Sequence, residues 1–176
     1  MGVYFVAGVY GVGKSTLCDS ISKELGIPHV SASEVISCNT GEQYGKRKYV
    51  TNANRNQQVL INEIQRIQKS TPQIILSGHF CIFDRQERIE CLPNFVYKEL
   101  SMKKILLLEA DIDRIVLNLK GRDQKKYGYE SIKKLVLAER AQAITISQQL
   151  RIPLKIYTMT FNSSDKKECS DFIRGY

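Results

Sequence analysis

Residues Gly8 to Ser15 read Gly-Val-Tyr-Gly-Val-Gly-Lys-Ser, a full match to the Walker A pattern G-x-x-x-x-G-K-[ST]. The chemistry of such a run is the grip of a polyphosphate. Gly8, Gly11 and Gly13 let the backbone wrap with its N–H groups turned inward, and the Val12 amide lies in the same curve. A helix starting near Lys14 adds the positive end of its dipole. Lys14 is expected to reach the β- and γ-phosphates and the Ser15 hydroxyl to ligate Mg²⁺, with Thr16 donating to the inner phosphates. ATP and Mg²⁺ are therefore the expected ligands.

Such a loop needs a strand before it and a helix after it. Val3–Ala7 is a short apolar run that reads as a buried strand. Leu17, Ile21 and Leu25 recur at helical spacing behind the loop. Further along, strands are expected at 28–30, 73–77, 104–108 and 153–157. Helices are expected at 14–25, 54–69, 94–100, 111–120, 130–149 and 165–173. This alternation predicts an α/β P-loop NTPase fold: a three-layer αβα sandwich with a five-stranded parallel sheet and a short lid. Ligands of such sheets bind at the carboxyl ends of the strands, where the glycine loop lies.

Composition sets bounds. The 176 residues, 43% of them hydrophobic, suffice for one domain with a core, and no composition shift divides 1–176 into two. No apolar run reaches the length of a bilayer span, and the N-terminus enters a strand directly. A cytoplasmic protein without a leader is the expectation. Cys18, Cys38, Cys81, Cys91 and Cys169 are odd in number and lack a C-x-x-C pair. They are expected to be reduced thiols, with Cys18 filling core space. A net charge of +8 attracts polyanions, so nucleotide substrates are the expected partners and the basic surface also admits nucleic acid. Oligomeric state is not readable.

Two polar stretches look like working loops. One is 38–53, with Gly41, Gly45 and a basic run. The other is 121–128, bracketed by Gly121 and Gly128 and carrying Arg122, Lys125 and Lys126. Glycine hinges and cations suit a lid over phosphates. The following helix has an apolar stripe through Ile132, Leu135, Val136, Ala143, Ile146 and Leu150, interrupted by Glu139 and Arg140. A charge on an inward face needs a partner; Arg140 is read either as paired with neighbours or as aimed at a bound phosphate. His79, at the end of the third strand, is a candidate for contact with the γ-phosphate or a water beside it. His29, beside Pro28 in an edge-like strand, is read as structural.

In order along the chain, these stretches resemble a nucleoside-monophosphate kinase of the adenylate-kinase-like P-loop group, nearest to its archaeal-type branch. The likeness runs to about residue 158. It is carried by the phosphate loop, Ser31-Ala-Ser-Glu-Val35, Ser77-Gly-His79, Leu92-Pro-Asn-Phe-Val96 and Glu109. It implies a substrate-binding insert at 31–70, a lid at 121–128, and lid arginines at Arg122 and Arg140. It implies transfer of the γ-phosphoryl of Mg-ATP to a small acceptor, foremost a nucleoside monophosphate. The sequence departs from the family's pattern at three places. Ser77 stands where the family has an aspartate. Asn118 stands where many members have an arginine over the base. No arginine closely follows Ser33, which leaves Arg47, Lys48 or Arg55 to hold a monophosphate. A hydroxyl acceptor would call for a carboxylate base, with Glu34, Asp84 and Glu109 the candidates. A polynucleotide or small-molecule hydroxyl kinase and a nucleotide switch or slow ATPase stay open beside the leading reading.

Overall fold

A computed structural model describes residues 2–40, 53–84, 86–122 and 127–175. The chain runs β1 (Gly2–Ala7), α1 (Lys14–Leu25), β2 (His29–Ser31), α2 (Ala32–Thr40), α3 (Ala53–Gln68), β3 (Gln73–Ser77), β4 (Cys81–Phe83) and β5 (Ile89–Cys91). It continues through α4 (Asn94–Glu99), β6 (Met102–Glu109), α5 (Ile112–Arg122), α6 (Tyr129–Leu150), β7 (Leu154–Thr158) and α7 (Ser163–Arg174).

Five strands form one parallel sheet in the order β2-β3-β1-β6-β7. β1 lies at its centre, between β3 and β6. Its neighbours Ile74–Leu76 and Ile105–Leu108 are buried almost completely, the near-continuous apolar runs that a sheet covered on both faces requires. This is the P-loop NTPase fold, with helices on both sides of the sheet. The glycine loop leaves the carboxyl end of β1, and the chain diverges to opposite sides there, so a crevice opens at that point.

Two elements add to the ranges expected from periodicity. Residues 32–40 form helix α2, so the working loop read at 38–53 begins later than expected; 41–52 lie outside the described residues, Arg47 and Lys48 among them. The second is an antiparallel hairpin, β4–β5, separate from the main sheet. Its facing residues Cys81 and Cys91 form a disulfide, with Cα atoms 4.0 Å apart. The expectation of five reduced thiols is therefore corrected for this pair: antiparallel register brings directly opposed side chains together, whatever their spacing in sequence. Cys18, Cys38 and Cys169 are free, and Cys18 is buried as expected. The lid is corrected at one end, since Gly121 and Arg122 complete helix α5 instead of opening a loop; 123–126 lie outside the described residues. Among the described residues no helix is long and apolar enough to cross a membrane.

Phe5, Phe80 and Tyr97 pack edge-on and tilted, with ring centroids 4.9–5.8 Å apart. Such pairs contribute roughly 0.5–1.5 kcal/mol each beyond their burial. They join β1, the β3–β4 turn and α4 under the crevice. On the other side, the turn after β7 is held by Asp165. Its carboxylate accepts from the Tyr157 hydroxyl (2.9 Å), the Thr160 amide (3.0 Å), the Thr160 hydroxyl (2.6 Å) and the Phe161 amide (2.7 Å). That turn sets Met159 and Phe161 against the phosphate loop, where both are the nearest neighbours of Gly13.

Burial alone would raise the Asp165 carboxyl, but the donations from Thr160, Tyr157 and Phe161 outweigh it and hold the group below its ordinary range. Asp165→Ala is expected to cost about 2–4 kcal/mol at pH 7, read from urea denaturation. Because the folded carboxyl titrates below the unfolded one, its stabilisation is complete above about pH 4 and fades as the pH falls through the lower folded value. The difference between wild type and variant should shrink accordingly in acid.

Candidate active site

The loop between β1 and α1 takes backbone conformations that L side chains rarely adopt. Gly8 has φ 146°, and a Cβ there would lie 2.5 Å from the Leu108 carbonyl oxygen of β6. Gly13 caps α1 with φ 98°. The turn is thus possible only without side chains at these positions, and it aims the first amides of α1 at one point. Lys14 lies across the loop, its Nζ donating to the carbonyls of Gly8 (2.6 Å) and Val9 (3.0 Å). Ser15 and Thr16 are exposed at the first turn of α1.

The loop is fastened from behind by a residue seen in the sequence only as an interruption. Glu139, on α6, is 1% exposed. Its carboxylate accepts from the Gly8 amide (3.1 Å), the Phe80 amide (2.9 and 3.0 Å) and the Cys81 amide (2.7 Å). One side chain therefore ties the start of the phosphate loop to the start of the hairpin. Burial is the main influence on this acid and pushes it up to about 7, against the pull of the Phe80 and Cys81 amides, Lys14 and the Gly8 amide. The buried Cys18 thiol of α1 is pushed up to about 12, chiefly by burial, which favours the uncharged thiol.

A cavity of about 500 Å³ joins the loop to the far side of the crevice. One end has Gly11, Gly13, Lys14, Ser15, Thr16 and Asn118 on its wall. Asn118, noted in the sequence as a departure from the pattern of the family it resembles, donates from Nδ2 to the Gly11 carbonyl at 2.9 Å and so is fastened to the loop. The other end lies between α2, α3, α4 and the hairpin, walled by Phe5, Ile36, Leu60, Ile82, Leu92 and Tyr97. Ser77 and His79 stand between the two ends.

The remaining sequence candidates are placed as follows. His79 packs on Tyr10 with ring centroids 4.4 Å apart, and its carbonyl accepts from the Tyr97 hydroxyl at 3.3 Å. Arg140 makes a two-pronged pair with Glu109, Nε to Oε1 at 2.7 Å and the second prong beside it. That pair lies outside the cavity wall. Arg122 ends α5, and its side chain lies outside the described residues. Of the carboxylates weighed as bases, Asp84 is held by Arg88 and the Gln86 amide in the hairpin turn. Glu109 is taken by Arg140, and Glu34 is exposed off the cavity wall. Among the described residues no group of three or more His, Cys, Asp or Glu side chains could hold a metal ion. A divalent cation at this loop would rest on the Ser15 hydroxyl and on phosphate oxygens, the donor set of a Mg²⁺ site shared with its nucleotide.

Residues 7–136 match the model of the family described as an AAA domain. No curated protein matches the chain in sequence. Solved structures do resemble it. Shikimate kinase from Acinetobacter baumannii, in complex with shikimate, has a TM-score of 0.63 at 13% identity, covering 99% of this chain and 91% of that one. A sugar kinase from Janibacter sp. HTCC2649 has a TM-score of 0.62 at 12% identity, covering 99% and 95%. A gluconokinase from Sinorhizobium meliloti 1021 has a TM-score of 0.56 at 9% identity, covering 99% and 98%. At such identities the likeness is one of fold.

Glu139 imposes a pH dependence on stability. Its ordinary value is about 4.5 and its folded value about 7, so between these the folded protein binds a proton that the unfolded chain has released. Stability should fall by on the order of 2–3 kcal/mol as the pH rises through that window, then level off. Urea midpoints of the wild type at pH 5 and pH 8 should show this slope, and Glu139→Gln should lack it.

Proposed function

This chain belongs to the AAA domain family of P-loop proteins, and from that premise we propose that it is a phosphotransferase that moves the γ-phosphoryl of Mg-ATP to a small acceptor. One observation carries the reading above all: a single cavity is continuous from the phosphate loop to a second chamber between α2, α3, α4 and the hairpin. A nucleotide switch needs only the first part. A chamber directly beyond the loop is what a second substrate requires.

The residues divide the work. The loop amides and the α1 N-terminus receive the phosphate oxygens. Lys14, released from the Gly8 and Val9 carbonyls, swings onto the β- and γ-phosphates. Mg²⁺, held through Ser15, supplies charge neutralisation at the phosphates when bound. Transfer then depends on placing the acceptor oxygen in line with the γ-phosphorus, with little covalent work for the protein. Arg122 and Arg140 are proposed to approach the phosphates when substrates are bound, Arg140 by leaving Glu109. His79, stacked between Tyr10 and the second chamber, is proposed to border the transferring group.

Two acceptor chemistries fit this cage. The resemblance to monophosphate kinases favours a nucleoside monophosphate, whose phosphate is already a nucleophile. The chain's fold neighbours include kinases named for shikimate, gluconate and sugar, which favours a hydroxyl compound.

Isothermal calorimetry of the whole chain should show Mg-ATP binding, and Lys14→Ala should abolish it or lower turnover by about 10²–10³-fold. Product analysis with labelled ATP checks the class of reaction. Label on an added acceptor supports phosphotransfer, whereas free phosphate alone, unchanged by any acceptor, overturns it in favour of an ATPase.

A further inference from the structure

We propose that the second chamber takes an uncharged hydroxyl compound with a flat apolar body, and that its proton leaves through a relay of Ser77, His29 and Asp19. This rests on the phosphotransferase reading and names its acceptor.

The relay is built from three elements. Ser77 ends β3 on the cavity wall and is 5% exposed. His29 is on the neighbouring strand β2, and its Nε2 is 2.8 Å from the Ser77 hydroxyl oxygen. Asp19 is on α1, its Oδ1 2.7 Å from His29 Nδ1. The chemistry of these atoms fixes the direction. A carboxylate oxygen only accepts, so Nδ1 carries the hydrogen. In a neutral ring Nε2 then accepts from Ser77, leaving the serine lone pairs for the cavity. The His29 side chain is 11% exposed and that of Asp19 60%, so the chain of bonds leads from the closed crevice to bulk water.

The two ends of the chamber specify opposite needs. A phosphate oxygen needs no base, and a monophosphate needs cations. Of the described residues on the cavity wall, Lys14 alone carries a fixed charge, and it belongs to the phosphate loop. The acceptor end is instead walled by Phe5, Ile36, Leu60, Leu92 and Tyr97. Within it the Gln57 side-chain carbonyl oxygen is buried, on a residue 4% exposed, with no hydrogen-bond partner among the described residues. An orphaned acceptor costs about 1–3 kcal/mol, and a turn of the Gln57 side chain, which lines the cavity, would bring it to a ligand O–H or N–H. Apolar walls, an orphaned acceptor and an outward proton path together suit a neutral body that presents one hydroxyl to Ser77 and one donor to Gln57.

The step balances. The acceptor oxygen bonds to the γ-phosphorus as the bond from that phosphorus to the β–γ bridging oxygen breaks, and ADP departs with that electron pair. The acceptor proton passes to Ser77 Oγ while the serine proton passes to His29 Nε2. The resulting imidazolium is held by Asp19 until water takes a proton from it.

The test uses the whole chain, Mg-ATP labelled in the γ-phosphate, and a panel of ribo- and deoxynucleosides, benzyl alcohol and pyridine methanols against the corresponding nucleoside 5′-monophosphates, shikimate and gluconate. Transfer to an uncharged member with kcat/KM at least about tenfold above every anionic member is expected. Transfer confined to anionic members, or equal for both, overturns the proposal and leaves phosphotransfer standing. ADP release without labelled acceptor overturns both. With the best acceptor, His29→Ala should lower kcat by about 10²-fold with KM changed less than about threefold, and added imidazole should restore part of the rate. Asp19→Asn, at an exposed position, should give a smaller loss in kcat, and Ser77→Asp should retain more activity than Ser77→Ala. Gln57→Leu should raise the acceptor KM about tenfold at nearly constant kcat. Unchanged kcat in both His29→Ala and Asp19→Asn overturns the relay.

Discussion

A carboxylate removed from water must be given hydrogen bonds in its place, and Glu139 obtains them from three backbone amides far apart in the chain. Moving such a group out of solvent costs several kcal/mol, so the arrangement persists only if every donor stays in position. Gly8 starts the phosphate loop, while Phe80 and Cys81 start the hairpin that walls the second chamber. One buried acid therefore makes the two halves of the crevice a single rigid body. In-line transfer tolerates errors of only about 0.5 Å between donor and acceptor, and a shared anchor suppresses their relative drift. The disulfide across the hairpin and the aromatic cluster of Phe5, Phe80 and Tyr97 stiffen the same corner.

Much of the scaffold was legible because its signals are local. The phosphate loop is eight consecutive residues, and every main-sheet strand except the short β2 is centred on an apolar run. All five were found within two residues of their observed limits. The β4–β5 hairpin escaped because strands of three residues are too short to show alternation, and its cysteine pair hid within an odd set. Glu139 stood out as a charge on an apolar stripe, but its partners lie 58, 59 and 131 residues away, a separation no local pattern reports. The same holds for His29 and Ser77, 48 residues apart. Ser77 was visible as a substitution for an acid; that a histidine from the adjacent strand backs it became visible only once β2 and β3 were in register.

The fold itself says little about the acceptor. Proteins sharing it at 9–13% identity are named for chemically distinct small molecules, as expected where function resides in side chains grafted on a common frame. Among the described residues, charge is unevenly distributed along the cavity of this chain. Of the described wall residues, the one fixed charge, Lys14, is at the phosphate end, while those at the far end are apolar, aromatic or neutral hydrogen-bonding groups. A net charge of +8 favours the encounter with anionic ligands in general.

The short bond from Asn118 to the Gly11 carbonyl has a mechanical consequence. It couples the middle of α5 to the apex of the phosphate loop across 107 residues of chain. An α-helix of eleven residues is a stiff rod about 16 Å long. A rod of that length pinned to the loop near its middle holds the Gly11 carbonyl at a fixed distance from the α5 axis. The loop apex and the helix therefore share one fastening, and a displacement of either strains the bond to the other.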